Sequence, residues 1–141
     1  MTTDVIHHDP VLYPGELDLE THKQVMSMYF TALPDFHGTL NDIIAEGDKV
    51  VTRWTATGTH QGELMGVPPT GKQVVFTGMT VLRLADGKIV EAWWSYDALG
   101  LMQQLGAIPP MQKDYSNVFF MTLSPGLNMI CLLYTSPSPR D

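Results

Sequence analysis

Asp97 is the acidic residue whose sequence neighbours best suit proton transfer. It follows an alternating stretch with two tryptophans and directly precedes "ALGLMQQLG", which is typical of a short helix. A carboxylate partly desolvated by aromatic neighbours has a raised pKa, as a base that removes a proton from carbon requires. The position equally suits a helix N-cap, because Asp accepts from the first backbone N–H groups of a helix. The two roles are compatible, and both stay open.

Two further charged residues lie inside predicted strands. Arg53, between apolar neighbours, is expected to pair with Glu91 or Asp97, or to bind a carboxylate or enolate of a substrate. Glu91 is predicted to share a sheet face with Asp97 and Trp93. An Arg53–Glu91 ion pair is the simpler expectation for these two residues.

The histidines are expected to differ in position and in role. His8 lies in a short predicted strand, and alternation directs the preceding His7 to the opposite face. His60 stands where a strand enters a glycine-containing loop, so a hydrogen bond that fixes the loop is the expected role. His22 and His37 are expected at the surface.

Composition excludes several classes of function. The 141 residues carry a net charge of −7, and the 8 basic residues are scattered singly, which argues against nucleic acid and anionic membranes as partners. The lone Cys131 has no CxxC or Cys/His cluster around it, so no metal site is expected. No phosphate-binding glycine loop, nucleophile elbow or HExxH motif occurs, and we expect no cofactor. The early residues lack a basic signal-peptide region, which favours a cytoplasmic protein.

The sequence predicts an α+β domain. Asp18 begins a helical pattern that Pro34 ends, and two hairpins follow, turning at Gly47-Asp48 and at Asp86-Gly87. A short helix is predicted from about 97 to 105. A strongly curved antiparallel sheet of at least four strands, with helices against it, accounts for this order.

The second hairpin allows a prediction of register. With Asp86-Gly87 as a two-residue turn, counting back places Thr80 opposite Trp93 and Phe76 opposite Asp97. Both faces of the hairpin are then too apolar for water. We expect helices to cover one face and a second copy of the chain to cover the other, giving a homodimer through the outer face of the sheet.

The C-terminal segment does not fit this pattern. It is apolar but broken by Ser124-Pro125-Gly126, and it is too short and interrupted for a membrane span. We predict a domain at 1–110 and a tail at 111–141 that is non-native or disordered.

Two phrases carry a resemblance to a known family: "ALPDFHGTLNDIIAEGDKVVTRWTATGTHQGELMGVPPTGK" and "ADGKIVEAWWSYDALGLMQQLG". They resemble the SnoaL-like polyketide cyclases, or ester-cyclase-like proteins, of the NTF2-like superfamily. The resemblance covers about residues 5 to 109, and the motifs are specific to the family but not to one activity. Members normally carry a long helix before the "HDP" strand, so this chain is expected to lack the first helix of the domain.

The resemblance implies a fold and a chemistry. The fold is a cone, with a curved antiparallel sheet wrapped around helices and a ligand cavity inside. The chemistry is a cofactor-independent intramolecular aldol ring closure on a flat, hydrophobic, oxygenated substrate. Asp97 matches the acid/base residue of the family, and the alternatives are a non-catalytic binding module, or isomerase or epoxide-opening chemistry. The expected pocket residues are those that align with the cavity or share its predicted face: His8, Trp93, Arg53, Glu91, Phe76, Tyr29 and His60.

Overall fold

The computed structural model describes residues 4–109, 118–121 and 131–133. The chain divides into two units, residues 1–109 and 110–141. The first unit contains strands β1 (Ile6–His8), β2 (Glu16–Leu17), β3 (His37–Glu46), β4 (Lys49–Thr59), β5 (Gln73–Ala85) and β6 (Lys88–Tyr96), and helices α1 (Leu19–Ala32) and α2 (Ala98–Gln104). In the second unit β7 (Val118–Met121) pairs with β8 (Cys131–Leu133). The predicted non-native or disordered tail mostly concerns residues outside the described ones and stays a prediction.

The six strands of the first unit form one curved, open sheet in the order β2-β1-β6-β5-β4-β3. The predicted α+β class and the two hairpins are confirmed. The sheet is mixed, however, because β1 runs parallel to β6, with His7 opposite Ala92 and His8 opposite Trp93. These two strands are far apart in the sequence and are connected only through the rest of the domain. No local turn residues therefore predict this parallel pair.

Local chemistry explains the ends of the helices. Asp18 caps α1 by accepting from the backbone N–H of Thr21, and Asp97 caps α2 by accepting from that of Gly100. At the β5–β6 turn, Asp86 and Gly87 both have positive φ, of 51° and 72°. This conformation matches the right-handed twist of the strands, and Asp-Gly tolerates it well.

The predicted register of the β5–β6 hairpin is wrong by one residue over most of its length. Ala85 does pair with Lys88, but the register shifts between Arg83 and Leu84, and Thr80 then lies opposite Trp94. The predicted pairing of Phe76 with Asp97 is also absent, because the ladder ends at Gly78 opposite Tyr96. One extra residue in a strand reverses the face of every side chain beyond it.

The core of the first unit lies between α1, α2 and one face of the sheet. Leu33, Leu64, Leu101 and Val74 are fully buried there. In contrast, every residue of the edge strand β3 is exposed, including the apolar Ile43 and Ile44 at 61% and 65%. The enclosed part of the sheet is therefore the half built by β1, β4, β5 and β6.

Candidate functional site

An aromatic cavity lies between α1 and the enclosed half of the sheet. Its volume is about 50 Å³. The wall comes from both helix and strands: Asp9, Leu12, His22, Met26, Tyr29, Phe36, Trp54, Phe76, Trp94 and Tyr96. Seven of these ten side chains carry an aromatic or imidazole ring, and the surface that they present to the cavity is apolar. Such a cavity suits a flat, mainly apolar small molecule held by a small number of hydrogen bonds.

Asp9 is the carboxylic acid among these lining residues. It is 5% exposed and accepts from the backbone N–H groups of Val11 at 3.2 Å and Leu12 at 3.4 Å. Burial raises its pKa above the usual value, and this effect outweighs the opposing effect of the two hydrogen bonds. A carboxylate in this setting is a better proton acceptor than one in water, as abstraction of a proton from carbon needs.

Two tyrosine hydroxyl groups meet at the cavity wall. The Oη atoms of Tyr29, from α1, and Tyr96, from β6, are 3.1 Å apart. Burial raises the pKa of both phenols, so both stay protonated across the working range of pH. Only one of the two protons is needed for the hydrogen bond between them, and the O–H group of Tyr29 donates at 3.9 Å to Sδ of Met65, a weak acceptor.

A stack of three rings borders the same cavity. The ring centroids of His7 and His22 are 3.8 Å apart with planes at 5°, and that of His22 is 5.2 Å from that of Trp94. The indole N–H of Trp94 donates to Nδ1 of His7 at 3.3 Å. Burial lowers the pKa of His7 to about 4 and also lowers that of His22, so both rings are neutral near pH 7.

The structure places the predicted pocket residues in several different environments. Tyr29 and Phe76 line the aromatic cavity. Trp93 does not, because the shifted register turns its neighbour Trp94 inward instead. The tryptophan of β6 in the cavity wall is therefore Trp94.

Asp97 lies outside the aromatic cavity. It is exposed, its Oδ1 accepts from the N–H of Gly100 at 2.8 Å, and it lines a shallow surface groove with Arg53 and Ser95. The N-cap role weighed for this residue is therefore present in the structure.

His8 lies in a cleft beside the cavity, and Glu91 contacts it. The cleft is lined by His8 and Trp93, and it shares Asp9 and Trp94 with the cavity. His8 stacks on Trp93 at a centroid distance of 5.3 Å, and its Nε2 is 2.9 Å from Glu91. The hydrogen bond with His8, reinforced by Arg83, holds the pKa of Glu91 below its usual range.

The expected Arg53–Glu91 pair is wrong. Glu91 accepts from Arg83 at 3.0 Å, whereas Arg53 is exposed and pairs with Asp42 on the neighbouring strand. The bulge explains the change, because it places Arg83 directly opposite Glu91 on the same face of the sheet.

His60 fixes a loop, the role that the sequence favoured. It is fully buried, and its Nδ1 is 2.9 Å from the hydroxyl and 3.2 Å from the backbone N–H of Thr70. These two contacts span the loop that contains the Pro68-Pro69 pair. His60 is not among the residues that line the aromatic cavity.

Sequence reasoning missed Asp9, His22, Trp54, Trp94 and Tyr96. The helical spacing of His22, Met26 and Tyr29 was a usable signal, since residues three or four apart share one face of a helix. His22 was expected at the surface but is 7% exposed. Asp9 carried no signal beyond its place next to the histidines.

The described residues contain no group of three or more His, Cys, Asp or Glu side chains arranged to hold a metal ion. None of the helices within the described ranges is long and apolar enough to cross a membrane.

Comparisons with known proteins agree on one family. A family model described as SnoaL-like polyketide cyclase matches residues 1–105. Among solved structures, the chain is 36% identical to AclR, a candidate hydroxylase from Streptomyces galilaeus, with a TM-score of 0.69 over 77% of this chain and 79% of that one. It is 34% identical to IdmH, a candidate polyketide cyclase from Streptomyces antibioticus, with a TM-score of 0.67 over 75% and 81%.

A third structure, a candidate SnoaL-like polyketide cyclase from Jannaschia sp. CCS1, is 28% identical, with a TM-score of 0.67 over 77% and 75% of the two chains. No curated protein sequence matches the chain. The structural matches confirm the NTF2-like fold class expected from the sequence motifs.

Proposed function

This chain belongs to the SnoaL-like polyketide cyclase family, and from that premise we propose that its aromatic cavity performs acid/base chemistry on a flat, hydrophobic, oxygenated molecule. The reaction is of the type of an intramolecular aldol ring closure of a polyketide ester. Asp9 is the group that takes and returns the proton. The observation that carries this proposal is a carboxyl group with a raised pKa, 5% exposed, in the wall of an aromatic cavity.

The reaction follows from the groups that line the cavity. The aromatic side chains Trp54, Phe76 and Trp94 hold the flat substrate. The Asp9 carboxylate takes a proton from a carbon atom next to a carbonyl group, which breaks the C–H bond and leaves an enolate. The enolate carbon then forms a C–C bond to a second carbonyl carbon, and the alkoxide produced takes the proton back from Asp9. No proton or electron is lost or gained over the cycle.

The tyrosine pair supports this chemistry. The O–H group of Tyr29, which donates to the weak acceptor Sδ of Met65 at 3.9 Å, turns instead to the oxygen on which negative charge develops. Hydrogen-bond donors placed in advance at that position stabilise the transition state, because they do not have to reorganise during the reaction.

Asp97 is the rival for the base, because it matches the family motif. Its exposure and its hydrogen bond to Gly100 favour the capping role, and the aromatic side chains that enclose Asp9 do not enclose it. A carboxylate that is exposed to water is not desolvated, and so its basicity is not increased in this way. We therefore place the proton transfer at Asp9.

The assignment is tested by proton exchange, which needs no knowledge of the natural substrate. 2-Tetralone, a flat ketone with acidic C–H groups, is incubated with the protein in D₂O, and loss of its C1 proton signal is followed by NMR. The matched variants are Asp9→Asn and Asp97→Asn. We expect Asp9→Asn to slow the catalysed exchange by about 10²-fold or more, the usual contribution of a positioned base, and Asp97→Asn to leave it nearly unchanged.

The opposite pattern, with loss in folded Asp97→Asn and retention in Asp9→Asn, would move the base to Asp97. Binding of the ketone without any catalysed exchange would instead favour the alternative of a non-catalytic binding module. Epoxide opening through an Asp-Arg-Asp relay has less support, since the described lining of the cavity includes no arginine and Arg53 pairs with Asp42.

We also propose that this domain forms a homodimer through the outer face of its sheet. That face carries exposed apolar side chains, among them Ile44, Val75 and Met79 at 65%, 52% and 53%. Met79→Lys in the middle of the face is expected to convert a dimer to a monomer, as measured by light scattering coupled to size exclusion. A wild-type chain that is monomeric at millimolar concentration would refute this proposal.

A further inference from the structure

We propose that the cleft beside the aromatic cavity binds an unreactive, hydroxylated ring of the substrate, and that Nδ1 of His8 accepts a hydrogen bond from the hydroxyl group of that ring. This role rests on the proposed function and specifies its substrate class further, as a phenol. The proton transfer stays with Asp9, and His8 moves no proton.

The cavity and the cleft differ greatly in size. The aromatic cavity has a volume of about 50 Å³, whereas the cleft measures about 600 Å³. For comparison, a protein cavity that holds one benzene molecule measures about 150 Å³. A molecule of several rings whose reacting edge reaches Asp9 therefore extends beyond the cavity. The cleft is the neighbouring space, because Asp9 and Trp94 line both.

The contacts of His8 determine which of its ring nitrogens carries the proton. Nε2 of His8 lies 2.9 Å from a carboxylate oxygen of Glu91. The hydrogen bond with His8 is the largest cause that lowers the pKa of Glu91, so this carboxyl group is ionised and can only accept. Nε2 is therefore the N–H donor. In the neutral ring Nδ1 is then a bare nitrogen, which accepts a hydrogen bond and cannot donate one.

Arg83 favours the neutral form of this ring. Its guanidinium group donates to the other carboxylate oxygen of Glu91 at 3.0 Å. The negative charge of Glu91 is thus balanced by Arg83, and a proton on Nδ1 of His8 would add a second positive charge to the same cluster. His8 accordingly binds Glu91 as a neutral donor, with Nδ1 left as an acceptor.

Nδ1 of His8 is unpaired and accessible. The His8 side chain is 26% exposed and lines the cleft, whose surface includes polar atoms, unlike that of the aromatic cavity. Among the described residues no group bonds to Nδ1, and this atom is not one of the fully buried atoms that lack a partner. A hydroxyl group of a molecule in the cleft can therefore reach it.

Aromatic rings hold the acceptor and offer a wall to the ligand. His8 and Trp93 stack with their ring centroids 5.3 Å apart and their planes at 7°. Trp93 and the exposed Tyr13 both line the cleft, so an aromatic ring that enters it has flat faces to pack against. An acceptor that is fixed before the ligand arrives loses little entropy on binding.

The charge of the lining favours a neutral hydroxyl group over an acid. The described residues that line the cleft include the acids Asp9 and Glu16 and no lysine or arginine. They repel a carboxylate ligand, which also has no hydrogen to donate to Nδ1. A phenol has both the flat ring and the O–H donor that this lining requires.

Three naphthalene derivatives test the inference. 2-Naphthol donates an O–H group, 2-methoxynaphthalene keeps the ring and the oxygen without that hydrogen, and 2-naphthoate carries a negative charge. Their dissociation constants for the full chain are measured by isothermal titration calorimetry. We expect 2-naphthol to bind about tenfold more tightly than its methyl ether, as one good hydrogen bond allows, and 2-naphthoate to bind more weakly than either.

The decisive variant is His8→Phe, which keeps a flat ring to stack on Trp93 and removes both nitrogens. It is expected to abolish the tenfold preference by weakening the binding of 2-naphthol alone. His37→Phe, on the exposed strand β3, is the matched control and should retain the whole preference. In wild type, the ¹⁵N shift of His8 Nδ1 should be that of an unprotonated ring nitrogen, and it should move with 2-naphthol and stay nearly constant with the ether.

The outcomes separate this role from the proposed function. Equal binding of 2-naphthol and its ether, no binding of either, or an Nδ1 that carries a proton in the free protein would each refute the role of His8. Exchange of 2-tetralone, which has no hydroxyl group, decides the role of Asp9 independently. If His8→Phe does not fold, the preference and the nitrogen shift of the wild type still decide the question.

Discussion

The imidazole rings of His7 and His22 stack in parallel with their centroids 3.8 Å apart, and so join β1 to the first turn of α1. Both rings are buried, and burial is the main cause that lowers the pKa of each. The contact therefore requires two neutral rings, since a proton on either would place a charge in an apolar stack.

The first prediction concerns the acid stability of the fold. In the unfolded chain both histidines take up a proton as the pH falls below about 6.5, whereas folded His7 does so only near pH 4. The folded state is thus fully stable above pH 6.5 and loses stability between about 6.5 and 4. We expect a loss of about 1 kcal/mol per pH unit from His7 and a further loss of the same sign from His22, measured by urea unfolding at pH 7 and pH 5.

Its controls are His7→Gln and His37→Gln. The first should flatten the dependence on pH, and the second, on an exposed strand, should preserve it. Asp9 acts in the opposite sense, because its raised pKa lets the folded state take up a proton at a higher pH than the unfolded chain does. A stability that is constant from pH 7 to pH 5 would contradict the buried neutral pair.

The second prediction concerns Gly78, which lies beside Trp54 on the cavity side of β5. A Cβ atom at Gly78 would overlap the indole ring of Trp54 and lie 2.8 Å from the carbonyl oxygen of Ser95. Gly78→Ala is expected to displace Trp54 from the cavity wall, and so to weaken the binding of a flat apolar molecule such as fluorene. It should also lower the free energy of unfolding by about 1–3 kcal/mol. Gly38→Ala is the matched control, because its Cβ meets only Phe36, at 3.7 Å; equal effects of the two variants would contradict this packing.

The third prediction separates the capping role of Asp97 from catalysis. Asp97→Ala removes the acceptor for the Gly100 N–H and should lower the free energy of unfolding by about 1 kcal/mol, whereas Asp97→Asn should cost little. Neither variant should slow proton exchange of 2-tetralone by more than about twofold. Equal stability of the Ala and Asn variants would argue against the cap.

The fourth prediction concerns the contacts between His8, Glu91 and Arg83. Because none of these three residues lines the aromatic cavity, Glu91→Gln should leave the exchange rate of 2-tetralone nearly unchanged. The partly exposed ion pairs should contribute little to stability. A large loss of exchange activity in folded Glu91→Gln would instead place the cleft in the active site.

Local sequence signals were sufficient to predict the two hairpins and the two helix starts of this fold. The turn residues at Gly47-Asp48 and Asp86-Gly87 defined both hairpins, and the capping aspartates Asp18 and Asp97 marked both helix starts. These signals are strong because each depends on the conformation of only a few neighbouring residues.

The site was harder to predict, because it depends on single-residue shifts and on distant contacts. The bulge near Arg83 exchanged Trp93 for Trp94 in the cavity, and a two-residue turn rule cannot anticipate it. The parallel pairing of β1 with β6 brought Asp9 and His7 to the cavity from the far end of the chain. The homodimer, the cytoplasmic location and the nature of the tail stay predictions.

The central claim is that Asp9 is an enclosed carboxylic acid whose raised pKa prepares it to act as a base. An NMR titration of its side-chain carboxyl ¹³C signal, assigned with Asp9→Asn, tests this claim most directly. We predict a pKa above 3.8, because burial in the aromatic wall outweighs the hydrogen bonds from Val11 and Leu12. A pKa at or below 3.8 would show that these two hydrogen bonds dominate, and Asp9 would then be a structural residue of the turn and not the base.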